Sequence, residues 1–302
     1  MAVVGTFGKS TTMRAIAAVL HCPVHSMMMA NAWSAVAGAV LRIAPSQRHA
    51  VIEVGIANVG QMKPYATTVR PDIAVVTCIG SEHHRSLGTL DVTRDEKAWM
   101  VRVLRRDGVA VLNGDDPNVM WMRGETAARV VTYGYGEGCD VRASNYRLDW
   151  PGGSRFDVVA FGEAARDVAV RFLSRPLTYP ALAALAVARV QGIALADAIA
   201  DLRDIAPTTG RMEAVSVGNG VTFVRDDYKG ALETFLSALE AFEQIPARRR
   251  IVVLGDITEP PSPQRLGYRI VGTRAAEFAD RLVIVGQMHE AYSVGARRAG
   301  MP

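Results

Sequence analysis

Cysteine is scarce in this chain. Cys22, Cys78 and Cys139 are the three in 302 residues, odd in number and far apart. That spacing excludes a disulfide framework and a C-x-x-C zinc site, and it points to a reducing cytoplasm. Long apolar runs are also missing: none approaches the roughly 18 residues needed to cross a bilayer. A signal peptide is not expected, because Lys9 and Arg14 interrupt the first apolar stretch. Charge of either sign is barely in excess, at a net +4. Arg248–Arg250 and Arg297–Arg298 therefore read as solvated faces, and neither nucleic acid nor a membrane is expected as a partner. Internal repeats and low-complexity tracts are absent. With 49% hydrophobic and 21% charged residues, what remains is an ordinary globular chain, long enough for two domains.

The most informative segment that is present lies at the start. Gly5-Thr-Phe-Gly-Lys-Ser-Thr-Thr12 follows apolar Val3-Val4 and precedes a helical pattern over Met13–Leu20. This strand, glycine loop and helix make a phosphate-binding loop: backbone N–H groups at the helix N-terminus cradle phosphate, Lys9 neutralises it, and the Ser10 hydroxyl reaches a magnesium ion. One glycine of the common pattern is missing, since Val3 stands five residues before Gly8.

Short apolar runs alternate with helical patterns, which predicts an α/β fold with a mostly parallel sheet. Strands are expected at Ala50–Val54, Asp72–Ile79, Val109–Leu112 and Arg129–Tyr133, and helices at Val59–Thr68 and Leu90–Arg106. Over Val141–Phe172 the pattern changes to an antiparallel hairpin region, and Tyr179–Gly192 is again helical. The segment Ala206-Pro-Thr-Thr-Gly210 is the best boundary. It divides residues 1–206, which carry the phosphate loop, from a second, smaller α/β unit, residues 207–302. The smaller domain reads as a strand–helix alternation over Val221–Val224, Ala231–Phe242, Arg250–Leu254, Arg274–Phe278 and Leu282–Val285, and it is short for a complete doubly wound unit.

Carboxylates and histidines stand at several strand ends, the edge that faces the ligand crevice in an open parallel sheet. Glu53 ends Val51–Val54 and is placed to assist a magnesium ion. His83 and His84 follow Ile73–Thr77, where a histidine binds metal or phosphate or simply decorates the surface. Asn113-Gly-Asp-Asp-Pro117 has the composition of a plain turn with a helix cap, and Asp226-Asp227 precedes a helix in the same way. Nothing in the composition singles out Lys97.

Taken together, these segments resemble the Mur ligase family of ATP-dependent amide-bond-forming enzymes. The family's G-T-x-G-K-[ST]-[ST] loop is similar to Gly5–Thr11 and needs no earlier glycine. Its E-x-G corresponds to Glu53–Gly55, and its R-P-D-x-A-x-[VI]-T-x-I-x-x-[DE]-H to Arg70–His83. The downstream lysine corresponds to Lys97, N-x-D-D-P to Asn113–Pro117, G-R-[MF]-E to Gly210–Glu213, and D-D-Y to Asp226–Tyr228. The resemblance implies a P-loop central domain followed by a Rossmann-like one. It also implies a ligase that joins a carboxylate to an amine, an amino acid or peptide, through an acyl-phosphate made with ATP and Mg²⁺. Gly5, Thr6, Gly8, Lys9, Ser10, Thr11 and Asn113 would bind nucleotide. Ser10 and Glu53 would hold one metal, and His83 with a carbamylated Lys97 a second. Lys9, His83 and Lys97 would form the catalytic set, while Arg211 and Asp227 would touch phosphate and ribose.

Three departures qualify this. Leu254–Glu259 is most like the branch that adds D-alanyl-D-alanine, yet Lys229-Gly-Ala231 replaces that branch's asparagine-rich segment. Pro180 stands where the family has an asparagine that contacts adenine, and proline cannot donate that hydrogen bond. The UDP-sugar-binding domain of the peptidoglycan enzymes is not in the sequence. Two expectations follow: a UDP-domain-free branch, favoured because Met1 directly precedes the loop's strand, or a fragment whose partner supplies the missing domain. The alternative function is a nucleotide-binding regulatory or scaffold protein of the same fold; an ATPase acting on nucleic acid rests only on the basic charge balance.

Overall fold

The computed structural model describes residues 1–24, 32–81 and 84–302. They form two compact units, Met1–Arg147 with Gly152–Pro207, and Leu148–Pro151 with Thr208–Pro302.

The first unit begins with β1 (Ala2–Val4), α1 (Lys9–Val19), α2 (Trp33–Leu41), β2 (Ile52–Glu53), α3 (Met62–Val69) and β3 (Ile73–Val76). It continues through α4 (His84–Leu87), α5 (Leu90–Arg102), β4 (Val109–Asn113), α6 (Pro117–Trp121) and β5 (Arg129–Gly134). Three longer strands follow, β6 (Val141–Asp149), β7 (Gly153–Ala160) and β8 (Glu163–Val170), and then α7 (Arg175–Val190) and α8 (Leu195–Arg203). All eight strands share one sheet in the order β2-β1-β3-β4-β5-β6-β7-β8. From β2 to β6 each pair is parallel, whereas β7 and β8 are antiparallel.

The apolar runs are explained by burial on both faces, as parallel strands covered by helices require. In β1, Val3 points with Val75, Val111 and Val131 into one core against Met13 and Ile16 of α1 and Leu182 and Leu185 of α7. Ala2 and Val4 point with Val76 and Leu112 into the other core, against Val36 of α2, Met62 of α3 and Met100 of α5. Because β1 to β5 run parallel, their C-terminal ends lie at one edge, where the loops that follow them converge. The antiparallel region expected over Val141–Phe172 is present, and β6 pairs in parallel with β5, so these strands extend the main sheet. β3 is shorter than the expected Asp72–Ile79, because Thr77–Gly80 leave the ladder to bond the phosphate loop. Helix α7 begins four residues before the expected Tyr179. The Ser174 hydroxyl accepts from Leu177 N at 3.3 Å as its cap, and Pro180 is carried inside the helix.

The second unit contains β9 (Glu213–Gly218), β10 (Val221–Arg225), α9 (Leu232–Glu243), β11 (Ile251–Leu254), α10 (Gln264–Ala276), β12 (Arg281–Ile284) and α11 (His289–Arg298). Val221–Val224 does not begin the parallel alternation as expected. It is one arm of an antiparallel hairpin with β9, turned at Asn219 and Gly220, whose φ values of 51° and 73° suit the Asn-Gly hairpin turn. β11 and β12 are parallel, and Val252, Leu254, Tyr268, Val271 and Tyr292 close the core beneath them. The helix expected at Arg274–Phe278 is the end of the longer α10. Among the described residues no helix is long and apolar enough to cross a membrane.

Candidate active site

The loop between β1 and α1 is held by the exit of β3. Thr6 N donates to Cys78 O at 2.7 Å, Gly80 N donates to Thr6 Oγ1 at 2.8 Å, and Thr77 Oγ1 donates to Phe7 O at 2.6 Å. Phe7 N donates to Cys78 Sγ at 3.3 Å. Gly5 has no alternative here. Its φ is +149°, and a Cβ would lie 1.9 Å from Thr77 Oγ1, so a side chain is excluded by sterics as well as by backbone conformation. Gly8 then enters the left-handed region as the cap of α1, and the first N–H groups of that helix are left facing the crevice.

Four of the expected residues meet at this edge. Lys9 Nζ donates to Thr6 O at 2.8 Å, folded back on its own loop. Ser10 Oγ donates to Glu53 Oε2 at 2.6 Å, and the register that sets Val3 beside Glu53 brings them together. Lys97, 4% exposed, crosses from α5 and its Nζ donates to Gly5 O at 2.8 Å. Two lysine ammonium groups thus bond to consecutive loop carbonyls. The Ser10 hydroxyl and Glu53 carboxylate are hard oxygen donors at the start of a helix, a set that suits Mg²⁺, which takes one or two protein ligands and completes its shell with water and phosphate. Among the described residues, no group of three His, Cys, Asp or Glu gathers around a metal position. His83, named for the second metal, lies outside the described residues.

Asn113 is 7% exposed and braces this edge: its side-chain amide donates to Thr77 O at 2.9 Å, and its Oδ1 accepts from Asp115 N at 3.1 Å. Thr11 is buried. Arg211 and Asp227, in the second unit, are not joined to each other. The Arg211 guanidinium bonds Lys229 O and lies 3.9 Å from Asp226, while Asp227 takes Arg225 Nε at 3.1 Å. Burial pushes the Asp226 carboxyl up from its ordinary value, and Arg211 opposes that shift.

The turn read as plain, Asn113–Pro117, is more than that. Asp116 does cap α6, accepting from Asn118 N at 2.8 Å, and its other oxygen takes Ile79 N at 2.8 Å. Asp115 accepts from Tyr135 N at 2.6 Å, Gly136 N at 2.8 Å and the Tyr179 hydroxyl at 2.7 Å. It joins the exits of β4 and β5 to α7 at Tyr179. Glu96 was also missed. Buried beside Lys97, it accepts from Gly60 N at 2.8 Å and Met62 N at 3.3 Å, fixing the start of α3. The paired aspartates were visible as a motif, but Glu96 carried no signal, since a carboxylate on a helix is usually solvated.

A parallel α/β sheet with a phosphate loop between an interior strand and a helix defines the P-loop class of proteins. Comparison with known families narrows this. The family model "Mur ligase middle domain" matches residues 3–188, and "Mur ligase, glutamate ligase domain" matches residues 210–299. The chain belongs to the Mur ligase family. It is 28% identical over 300 residues to the UDP-N-acetylmuramoyl-tripeptide–D-alanyl-D-alanine ligase of Mycobacterium tuberculosis, covering 94% of this chain and 58% of that protein. It is 34% identical over 191 residues to the UDP-N-acetylmuramoyl-L-alanyl-D-glutamate–2,6-diaminopimelate ligase of Geobacillus kaustophilus, covering 61% and 38%. The match therefore spans 58% of the first relative's length and 38% of the second's. A crystal structure of MurF from Acinetobacter baumannii superposes with a TM-score of 0.89 at 24% identity, covering 98% of this chain and 65% of that one. MurF from Thermotoga maritima in complex with ADP gives 0.78 at 18% identity, covering 99% and 79%.

Proposed function

We propose that the chain is an ATP-dependent ligase that joins a carboxylate to an amine, an amino acid or peptide, through an acyl-phosphate. The observation that carries this is the group formed by Lys9, Ser10, Glu53 and Lys97 around one phosphate loop. A carboxylate oxygen attacks the γ-phosphorus and ADP leaves. The amine then attacks the acyl carbon, phosphate departs, and the nitrogen gives up a proton. The N–H groups at the start of α1 bind the phosphate oxygens. Lys9 exchanges Thr6 O for those oxygens, and its charge offsets the negative charge that builds in the transition state. Ser10 and Glu53 would hold Mg²⁺, which neutralises phosphate charge when bound. Lys97, buried, supports the loop through Gly5 O, and as a carbamate it would become an oxygen ligand to the second metal for which His83 is also proposed. Asn113 fixes the edge on which the nucleotide lies. Arg211 and Asp227 are proposed for phosphate and ribose, and closure of the second domain, residues 207–302, would exclude water from the acyl-phosphate.

The relatives' names support a muramoyl-peptide carboxylate and an amino-acid or dipeptide amine as the first substrates to try. The test is ADP release with carboxylates and amines supplied singly and together. Stimulation that requires both is expected; a full panel without stimulation contradicts the ligase and favours a nucleotide-binding protein of the same fold.

A further inference from the structure

Glu96 and Lys97 are consecutive buried charges on α5, at 7% and 4% exposure, and only the lysine has a part in the reaction described above. They leave the helix in different directions, since neighbouring helical residues do not share a face. Lys97 Nζ reaches Gly5 O of the phosphate loop at 2.8 Å. Glu96 reaches the loop that follows Glu53: one carboxylate oxygen accepts from Gly60 N at 2.8 Å and the other from Met62 N at 3.3 Å. The helix itself is anchored, because Ala98, Met100 and Val101 share a core with Val54, Ile56 and Met62. Two adjacent side chains of one fixed helix therefore hold the two loops that carry Ser10 and Glu53.

Helix capping alone does not account for Glu96. A serine or aspartate in the place of Gln61 would cap α3 locally, at the surface and without burying a charge. Instead the Gln61 side chain makes no cap bond to α3, and the first turn of that helix holds no acid of its own. A buried carboxylate is costly unless its oxygens are bonded, and this one is brought in from 34 and 36 residues away. The loop is otherwise closed on itself, with Ala57 N and Asn58 N donating to Gln61 Oε1 at 2.8 and 3.0 Å. Val54 N donates to Val3 O at 2.9 Å at its start, and the Ser86 hydroxyl donates to Ala57 O. What the Glu96 carboxylate adds is a fixed distance between α5 and the exit of β2. Lys97 fixes α5 to the phosphate loop, so the two links together hold Glu53 against Ser10.

We propose that Glu96 is a positioning residue for Mg²⁺, setting the β2 exit and with it the Glu53 carboxylate, while Lys97 sets the phosphate loop. The proposal rests on the reading of Ser10 and Glu53 as the magnesium pair and is tested separately from it. Glu96→Gln keeps the shape and one acceptor oxygen but turns an NH₂ on the second amide; Glu96→Ala removes both acceptors. Calorimetric titration of the full chain measures ATP binding at rising Mg²⁺, and tripolyphosphate binding in a chelator. The Mg²⁺ concentration for half-maximal ATP binding should rise about 10-fold in Glu96→Gln and up to about 100-fold in Glu96→Ala, the range for groups that orient a metal ligand. Metal-free tripolyphosphate binding should be unchanged. With no ligand present, the amides of Gly60 and Met62 should exchange hydrogen faster in Glu96→Gln, while those of α1 keep their protection. Glu96→Gln is nearly isosteric, so it carries the test where Glu96→Ala fails to fold. An unchanged Mg²⁺ requirement in Glu96→Gln, alongside a shifted one in Glu53→Gln, overturns the proposal alone. Unchanged exchange at Gly60 and Met62 does the same, as does an equal loss of metal-dependent and metal-free binding, the mark of a unit loosened as a whole. A wild-type chain whose ATP binding does not respond to Mg²⁺ overturns the magnesium reading and the positioning role with it.

Discussion

The two ends of the family's motif set are built differently. In the first unit the matching residues interlock across long sequence distances. Gly5 is bonded by Lys97 and closed in by Thr77, Ser10 meets Glu53, and Asn113 spans to Thr77. In the second unit the matching residues bond near neighbours: Arg225 to Asp227, and Arg211 to Lys229 O and Asp226. Buried, cross-linked groups hold one geometry and cost free energy when a partner is removed. Locally paired surface groups such as Arg225 and Asp227 contribute little and exchange partners easily, while Arg211 and Asp226 are half-buried. The comparison teaches that the phosphate edge is preorganised, whereas Arg211, Asp226 and Asp227 are held only by contacts within their own unit.

The sharpest way to break this contrast is Gly5→Ala. The added Cβ meets Thr77 Oγ1, and overpacking with an unfavourable φ should cost about 3 kcal/mol, read by chemical denaturation. Survival without loss would mean that the loop is not locked. Next, Glu53→Gln should weaken Mg²⁺-dependent nucleotide binding roughly 10–100-fold while metal-free binding changes little. Asp115→Ala leaves two backbone N–H groups and the Tyr179 hydroxyl without their acceptor, at a cost of about 1–3 kcal/mol; an unchanged denaturation midpoint would remove Asp115 as the joint between β4, β5 and α7. The smallest effect belongs to Asp226. Its carboxyl is raised by burial, so the folded state binds that proton more tightly than the unfolded one. The stability this brings is full below the unfolded pKa and is lost as pH rises through the folded pKa. Asp226→Asn should therefore gain on the wild type as pH rises through that window, and a difference flat with pH would show that the carboxyl is not perturbed.

Much of the first unit was legible because parallel strands buried on both faces must read as apolar runs, and Val3-Val4, Ile73–Val76 and Val109–Leu112 do so. Glu53 could be assigned to the crevice because strand ends face one edge. The brace formed by Thr77, Cys78 and Gly80 was not legible, since those bonds depend on which strands become neighbours, and β1 and β3 lie some 70 residues apart in sequence. Helix α2, Trp33–Leu41, is apolar almost throughout and offers no polar face to set its period. The β9–β10 hairpin did carry a signal in Asn219-Gly220, masked by the strand–helix alternation around it. In α7 the helix was expected from Tyr179, whereas the Ser174 cap and Pro176 begin it earlier and the interior Pro180 is tolerated. Its missing N–H would have paired with the carbonyl of Pro176, itself in the first turn.

The most direct test is titration of MgATP into the wild-type chain and into Lys9→Ala, with both shown to be folded. A preorganised phosphate edge predicts one nucleotide bound per wild-type chain, and a loss of at least about 100-fold in affinity when the lysine charge is removed, the scale of deleting a preorganised electrostatic partner. Equal affinity in the two proteins would contradict the account, because the nucleotide would then be held elsewhere.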